Sequence, residues 1–268
     1  MTLEEKYQSL LDKLRGYGSL AVAFSGGVDS CFLLKAAQEA LGERVLALTV
    51  ISDFVPMRER EEAMAFCQRQ GIRHELVYAE VLEIPGVNEN PPDRCYLCKR
   101  ALFETMKNKA AARGFSHLAE GSNLDDEGDY RPGMRAIREL GILSPLRETQ
   151  LSKAEIRQLS QRLGLESWKK PSFACLASRF VYGERLTVEK LQRVECAEEH
   201  LRTLGFTQYR VRVHGNTARI ELLPEELPRM MDEKLRLEAH ETLKHLGFSY
   251  VTLDLAGFRS GSMNDTLL

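Results

Sequence analysis

The sequence predicts an α/β protein built on a parallel sheet, with a smaller C-terminal α/β domain behind it, and three observations predict this. Apolar strand-like runs alternate with segments of helical period over residues 1–165; a Gly-Gly turn joins the first strand to the helix after it; and a shorter alternation resumes after an aperiodic stretch at 166–184. Residues 1–165 form one expected domain, 166–184 a junction, and 185–268 a second domain for substrate binding or oligomerisation.

Leu3, Tyr7, Leu10, Leu11 and Leu14 recur with helical spacing, so an amphipathic helix is expected to end near Gly16. SLAVAF then reads as a buried strand, followed by a helix over about 30–41, a strand in RVLALTV, a helix over about 56–70 and a strand in RHELVYA. The Pro-rich PGVNENPPDR reads as a loop, 95–113 as a helix, and SHLAEGS as a strand with its terminal loop. GSNLDDEGDYRPG has the glycines and acids of a ligand loop, and helices are expected near 134–140 and 153–163. The second domain should hold a helix at 188–204, strands in YRVRVHG and TARIELL, one helix over about 226–246 and a last strand in YVTLDL; SGSMNDTLL should fray.

Composition narrows the partners. A hydrophobic content of 43% can fill a proper core, and 37 Lys and Arg against 39 Asp and Glu give a net charge of -2. No overall field attracts phosphate backbones or anionic lipid, so neither nucleic acid nor membrane is an expected partner. The opening MTLEEKYQSLLDKL has no basic segment leading into an apolar run, and a cytoplasmic protein is expected. In that reducing setting six cysteines do not read as a disulfide framework.

The turn after the first strand is Ser25-Gly26-Gly27-Val28-Asp29-Ser30. Two glycines let the backbone turn sharply with its N–H groups outward, at the start of a helix, which makes a socket for phosphate. The spacing is neither that of the Lys-bearing P-loop nor GxGxxG. SGGxDS resembles the signature of the PP-loop ATP pyrophosphatases, whose loop holds pyrophosphate while ATP is cleaved between its α and β phosphates; a plain strand-turn-helix junction capped by Ser25 or Asp29 is the alternative. Ser52, just past the second strand, stands at a nucleotide edge or in a surface loop, and Asp125 and Asp126 serve Mg²⁺ or ribose, or merely solvate their loop. Cleavage to AMP and pyrophosphate activates a carboxylate or amide oxygen for attack by a second reactant.

Cys95 and Cys98 in RCYLCKR share one face at the start of a helix, where the dipole favours thiolates. A lone CxxC can be redox-active, half of a zinc site or accidental. Cys175, in PSFACLASRF, adds a third thiol with Phe173, Ala174, Leu176 and Ala177 around it and Arg179 nearby. Three thiolates without a fourth is the count for a cubane cluster with one open iron, whereas structural zinc wants four ligands. Cys31, Cys67 and Cys196 read as ordinary helix residues.

SGGVDS, PDRCYLCKRALF, GSNLDD and PSFACLASRFVYGERLT, in this order, resemble the LarE family over nearly the whole chain. That resemblance implies an ATP-dependent sulfurtransferase that adenylates a carboxylate of pyridinium-3,5-biscarboxylic acid mononucleotide and replaces AMP by sulfur, toward the nickel-pincer cofactor of lactate racemase. It implies either of two sulfur sources. A cysteine at the position of Cys175 gives up its own sulfur, or a [4Fe-4S] cluster on Cys95, Cys98 and Cys175 passes on a sulfide that an external donor renews. The pair at Cys95 and Cys98 favours the cluster. By the same resemblance Ser25, Gly26, Gly27, Asp29 and Ser30 hold ATP phosphates with Mg²⁺, Ser178 and Arg179 face the acyl adenylate or the substrate phosphate, and a homo-oligomer is expected. Arg210 and Arg212 alternate onto one strand face, as two guanidinium forks for a nucleotide phosphate or as a solvated strand face, and Glu195 could orient them.

Three rival readings remain at this level. A tRNA thiolase also combines a PP-loop with three cluster cysteines, but the chain lacks a long basic stripe. An ammonia-using synthetase leaves the cysteines idle, and a nucleotide-binding regulatory module performs no chemistry.

Overall fold

The computed structural model describes residues 1–128, 132–171, 174–259 and 261–263; Phe173 and the tail from 264 lie outside them. The chain divides into two compact units, Met1–Glu80 with Asp93–Phe173, and Val81–Pro92 with Ala174–Leu268.

The first unit opens with α1 (Leu3–Gly16), started by a reciprocal cap in which the Thr2 hydroxyl accepts from the Glu5 N–H and the Glu5 carboxylate from the Thr2 N–H. There follow β1 (Leu20–Ala23), α2 (Val28–Leu41), β2 (Val45–Ile51), α3 (Met57–Gln70), β3 (Arg73–Tyr78), α4 (Arg94–Ala112), β4 (Leu118–Ala119), α5 (Gly133–Glu139), α6 (Pro145–Glu148) and α7 (Lys153–Arg162). The strands lie in the order β3-β2-β1-β4, every neighbouring pair parallel. Side-chain alternation splits the core in two. Leu20, Val22, Val45 and Ala47 face α1, α2 and α7 through Leu10, Leu14, Phe32 and Ile156, while Ala21, Leu46 and Leu48 face α4 and α5 through Phe103, Met106 and Ile137. Each fully buried Leu or Phe stabilises the unit by about 1.5–3 kcal/mol. The four-residue α6, begun by Pro145, is too short to show a period in the sequence.

The second unit holds α8 (Val188–Thr203), β5 (Tyr209–His214), β6 (Thr217–Leu222), α9 (Leu227–Met230), α10 (Glu233–His245) and β7 (Tyr250–Leu253). β5 and β6 are antiparallel, β6 and β7 parallel. The helix expected over 226–246 is two helices. Asp232 is extended and its carboxylate accepts from the Leu235 N–H at 3.1 Å, so it starts a new helix where the old one would continue. The Pro-rich loop joins this unit because Asn90 ties it there: its side chain donates to Val181 O at 2.7 Å and its carbonyl accepts from the Gly183 N–H at 2.9 Å. No described helix is long and apolar enough to cross a membrane.

Two buried ion groups brace the second unit. Arg179, 1% exposed, grips Glu198 with two bonds of 2.9 and 2.8 Å, and Glu221, 0% exposed, accepts from Arg212 and Arg219 at 3.0 Å each and from Ser262 at 2.8 Å. Burial by itself raises the Glu198 carboxyl, but Arg179, Arg210 and the Val211 N–H together hold it below the ordinary value. A carboxyl depressed in the folded state contributes stability above its unfolded pKa and loses it as pH falls through the folded pKa. Resistance to urea is therefore expected to fall progressively below about pH 4. Glu198→Gln should flatten that acid limb, and Glu198→Ala, which strands a buried guanidinium, should cost about 3–5 kcal/mol at pH 7. An unchanged acid limb in Glu198→Gln would remove Glu198 from the acid response.

Candidate functional site

Strand order determines where a ligand can sit. From β1 the chain runs outward to β2 and β3 and then returns to place β4 on the other side of β1. Connections leaving β1 and β4 diverge, which opens a crevice at the carboxyl ends of those strands. Into it fall Ser25, Gly26 and Gly27, and α2 starts there. Gly26 has φ +74°, and a Cβ on it would meet Ala63 of α3 at 3.3 Å; a Cβ on Gly121, just past β4, would meet the Ser30 N–H nitrogen at 3.1 Å. Glycine is favoured at Gly26 by its positive φ against Ala63, and at Gly121 because backbone there passes close to backbone. The N-cap of α2 is Gly27, with no side chain capping the helix, so its first N–H groups face the crevice. Ser25 and Ser30 hydroxyls lie 3.1 Å apart, and Ser30 donates to Gly27 O at 3.1 Å.

The chain also brings charge to this loop. Lys153, first residue of α7, pairs with Asp29 at 2.5 Å. Its own backbone is anchored by Asp125, which accepts from the Lys153 N–H at 2.8 Å, while Asp126 accepts from the Asn123 N–H at 2.9 Å. Burial pushes the Asp29 carboxyl up, Lys153 opposes that, and Asp126 pushes it further up. Asp29 Oδ1 is buried with no hydrogen-bond partner among the described residues, and so is Ser52 Oγ past the end of β2. Lys153 is a member of the site that sequence reading misses. Its Ser152–Glu155 cap marks a helix start, but nothing local links it to Asp29, 124 positions away.

The cysteines divide among four environments. Cys95 and Cys98 stand in the first turn of α4, Cys98 buried and Cys95 half-buried, and Arg94 donates to Cys95 Sγ at 3.7 Å. Cys175 belongs to the second unit. Its carbonyl accepts from Ser178 Oγ at 2.7 Å and from Arg179 at 3.0 Å, and Arg179 also donates to Ala174 O and to Ser178 Oγ. Ser178 and Arg179 thus hold the backbone that carries the thiol. Among the described residues, no three His, Cys, Asp or Glu side chains are gathered as ligands of one metal. Cys31 and Cys67 are buried in the core, where burial pushes their thiols up to about 11 and about 12; Cys196 is exposed.

Arg210 and Arg212 are both buried on β5. Arg212 reaches Glu221, donates to Ser178 O at 3.0 Å and to Ser262 at 3.1 Å; Arg210 lies 5.1 Å from the Phe258 ring centre and donates to Tyr209 O. The structure so brings Arg212, Ser178, Arg179 and the Cys175 backbone into one bonded group. On α8 it is Glu198, one turn beyond Glu195, that receives Arg179.

No family model matches the chain. An uncharacterized protein of Synechocystis is 46% identical over 265 residues, 99% of each chain. The pyridinium-3,5-bisthiocarboxylic acid mononucleotide synthase of Lactiplantibacillus plantarum is 38% identical over 267 residues, covering 99% of this chain and 96% of that one. A shorter match, 30% over 156 residues, joins 54% of this chain to 49% of a glutamine-hydrolyzing GMP synthase component of Methanococcus maripaludis, in keeping with a PP-loop α/β domain. With a crevice-mouth SGGVDS loop and a likeness that runs from end to end, the chain belongs to the family of the pyridinium-3,5-bisthiocarboxylic acid mononucleotide synthases, the LarE family.

Proposed function

We propose that this chain is an ATP-dependent sulfurtransferase that converts carboxylates of pyridinium-3,5-biscarboxylic acid mononucleotide into thiocarboxylates for a nickel-pincer cofactor. The observation that carries this reading is the 38% identity, over 99% of the chain, to a synthase of the bisthiocarboxylic acid. In the first step a substrate carboxylate oxygen attacks the α phosphorus of ATP, the bond from that phosphorus to the bridging oxygen breaks, and pyrophosphate leaves with the electron pair. A sulfur nucleophile then attacks the acyl carbon, and AMP leaves with the electrons of the C–O bond.

Each role follows from local chemistry. The N–H groups of Gly26, Gly27 and the start of α2, with Ser25 and Ser30, bind the phosphates, and Lys153 balances the charge that grows on the leaving group. The orphaned Oδ1 of Asp29 fits the Mg²⁺ that ATP carries. Arg179 and Ser178 position Cys175, and Arg210 and Arg212 serve the substrate phosphate. Cys95 and Cys98, two thiols on one face of a helix turn beside a cationic donor, fit the donor chemistry of an iron–sulfur centre. A [4Fe-4S] cluster on Cys95, Cys98 and Cys175 supplies, when bound, an inorganic sulfide that an external donor renews. A reducing cytoplasm and a homo-oligomer complete the reading.

Two outcomes test it. Pyrophosphate release from ATP should depend on the pyridinium dicarboxylate mononucleotide, and Asp29→Asn or Lys153→Met should slow it about a hundredfold with the fold intact by circular dichroism. Release driven by tRNA instead, or by no acceptor, would overturn the substrate. Anaerobically prepared protein should carry near-stoichiometric cubane iron and acid-labile sulfide, lost in both Cys95→Ala and Cys175→Ala. Iron absent even after anaerobic reconstitution would leave Cys175 as a sacrificial sulfur donor.

A further inference from the structure

A second ammonium group reaches the phosphate loop, and the adenylation reading above gives it no role. Lys170 Nζ lies 3.1 Å from Gly26 O and 2.5 Å from a carboxylate oxygen of Glu62 on α3. Its backbone is fixed separately. Arg157, one turn beyond Lys153 on α7, donates to Lys170 O at 2.8 Å and also to Trp168 O. With the main chain clamped and the side chain long, only the ammonium end is free to change partners. Both cations of the loop therefore depend on α7, Lys153 directly and Lys170 through the Arg157 clamp.

We infer that Lys170 is a ligand of the ATP β and γ phosphates and of the departing pyrophosphate, held beside the loop by Glu62 until they arrive. The inference rests on the reading that the SGGVDS loop binds ATP. Energetics favour the exchange. Lys170 and Glu62 are 28% and 35% exposed, so their pair is solvent-screened and weak. Pyrophosphate offers several negative charges and charge-assisted bonds, which outcompetes one screened carboxylate. Glu62 is not stranded by the exchange, because Arg58 pairs with its other oxygen at 3.1 Å. Lys170 already touches the carbonyl of Gly26, so its move to a phosphate on the same loop is a change of side-chain torsion.

The test is calorimetric titration of inorganic pyrophosphate and of α,β-methylene-ATP, each with Mg²⁺, into the wild-type chain and into Lys170→Met, Lys170→Arg and Glu62→Gln. Lys170→Met should weaken both ligands about tenfold or more while leaving AMP within twofold, and Lys170→Arg should recover part of the loss. Glu62→Gln should bind pyrophosphate as well as wild type or about twofold more tightly, because a competitor is gone. A purely structural ion pair moves both variants the same way, so equal weakening by Lys170→Met and Glu62→Gln overturns the inference. If Lys170→Met fails to fold, Lys170→Gln takes its place, with the same weakening expected and an unchanged affinity overturning the inference. Wild-type protein that binds neither ligand would fell the ATP reading and this inference together; wild-type binding that Lys170→Met leaves unchanged would fell this inference only.

Discussion

The reversal of strand order at β1 is the constraint on which the first unit depends. Because β2 and β4 flank β1 and the connections leaving β1 and β4 diverge, the loop after β1 lies at the mouth of the crevice. Everything at the crevice follows from keeping that opening narrow. Gly26 takes a left-handed turn against Ala63, and Gly121 lets the chain beyond β4 pass against the start of α2. A side chain at either position would push the loop away from the elements that shape it, and the N–H groups of α2 would lose their common aim.

Charge is then added to a geometry that is already set. The loop has few charged residues of its own, and its cations come from α7 and from the segment α7 clamps. Each is held by a local acid, Asp29 for Lys153 and Glu62 for Lys170, which keeps two ammonium groups beside one helix N-terminus without mutual repulsion dominating. The second unit solves a harder version of the problem. Arg179 and Arg212 are buried, and burial is tolerable only because Glu198 and Glu221 satisfy them with several bonds at good geometry. That rigidity is transmitted to Cys175, whose carbonyl Arg179 and Ser178 both engage.

Cysteine chemistry shows how environment divides one residue type. Cys31 and Cys67 are packed into the core with thiols pushed up, which leaves them inert. Cys95 and Cys98 sit at a helix start, Cys95 beside Arg94, and Cys175 is held on a bonded backbone next to cationic side chains.

The sequence by itself determined the alternation of strands and helices, the parallel first sheet, the Gly-Gly turn and the positions of the six cysteines. These are local properties, written in apolar period, in the freedom of glycine and in spacing along one helix turn. Even there it read one helix over 226–246, because a period carries no account of Asp232 preferring to cap a new helix. What only the tertiary structure decided are pairings across long separations: Lys153 on Asp29, Lys170 on Gly26 and Glu62, Arg179 on Glu198, and the attachment of 81–92 to the second unit through Asn90. An ion pair depends on where two side chains end in space, and residues 124 positions apart leave no mark on each other's local sequence.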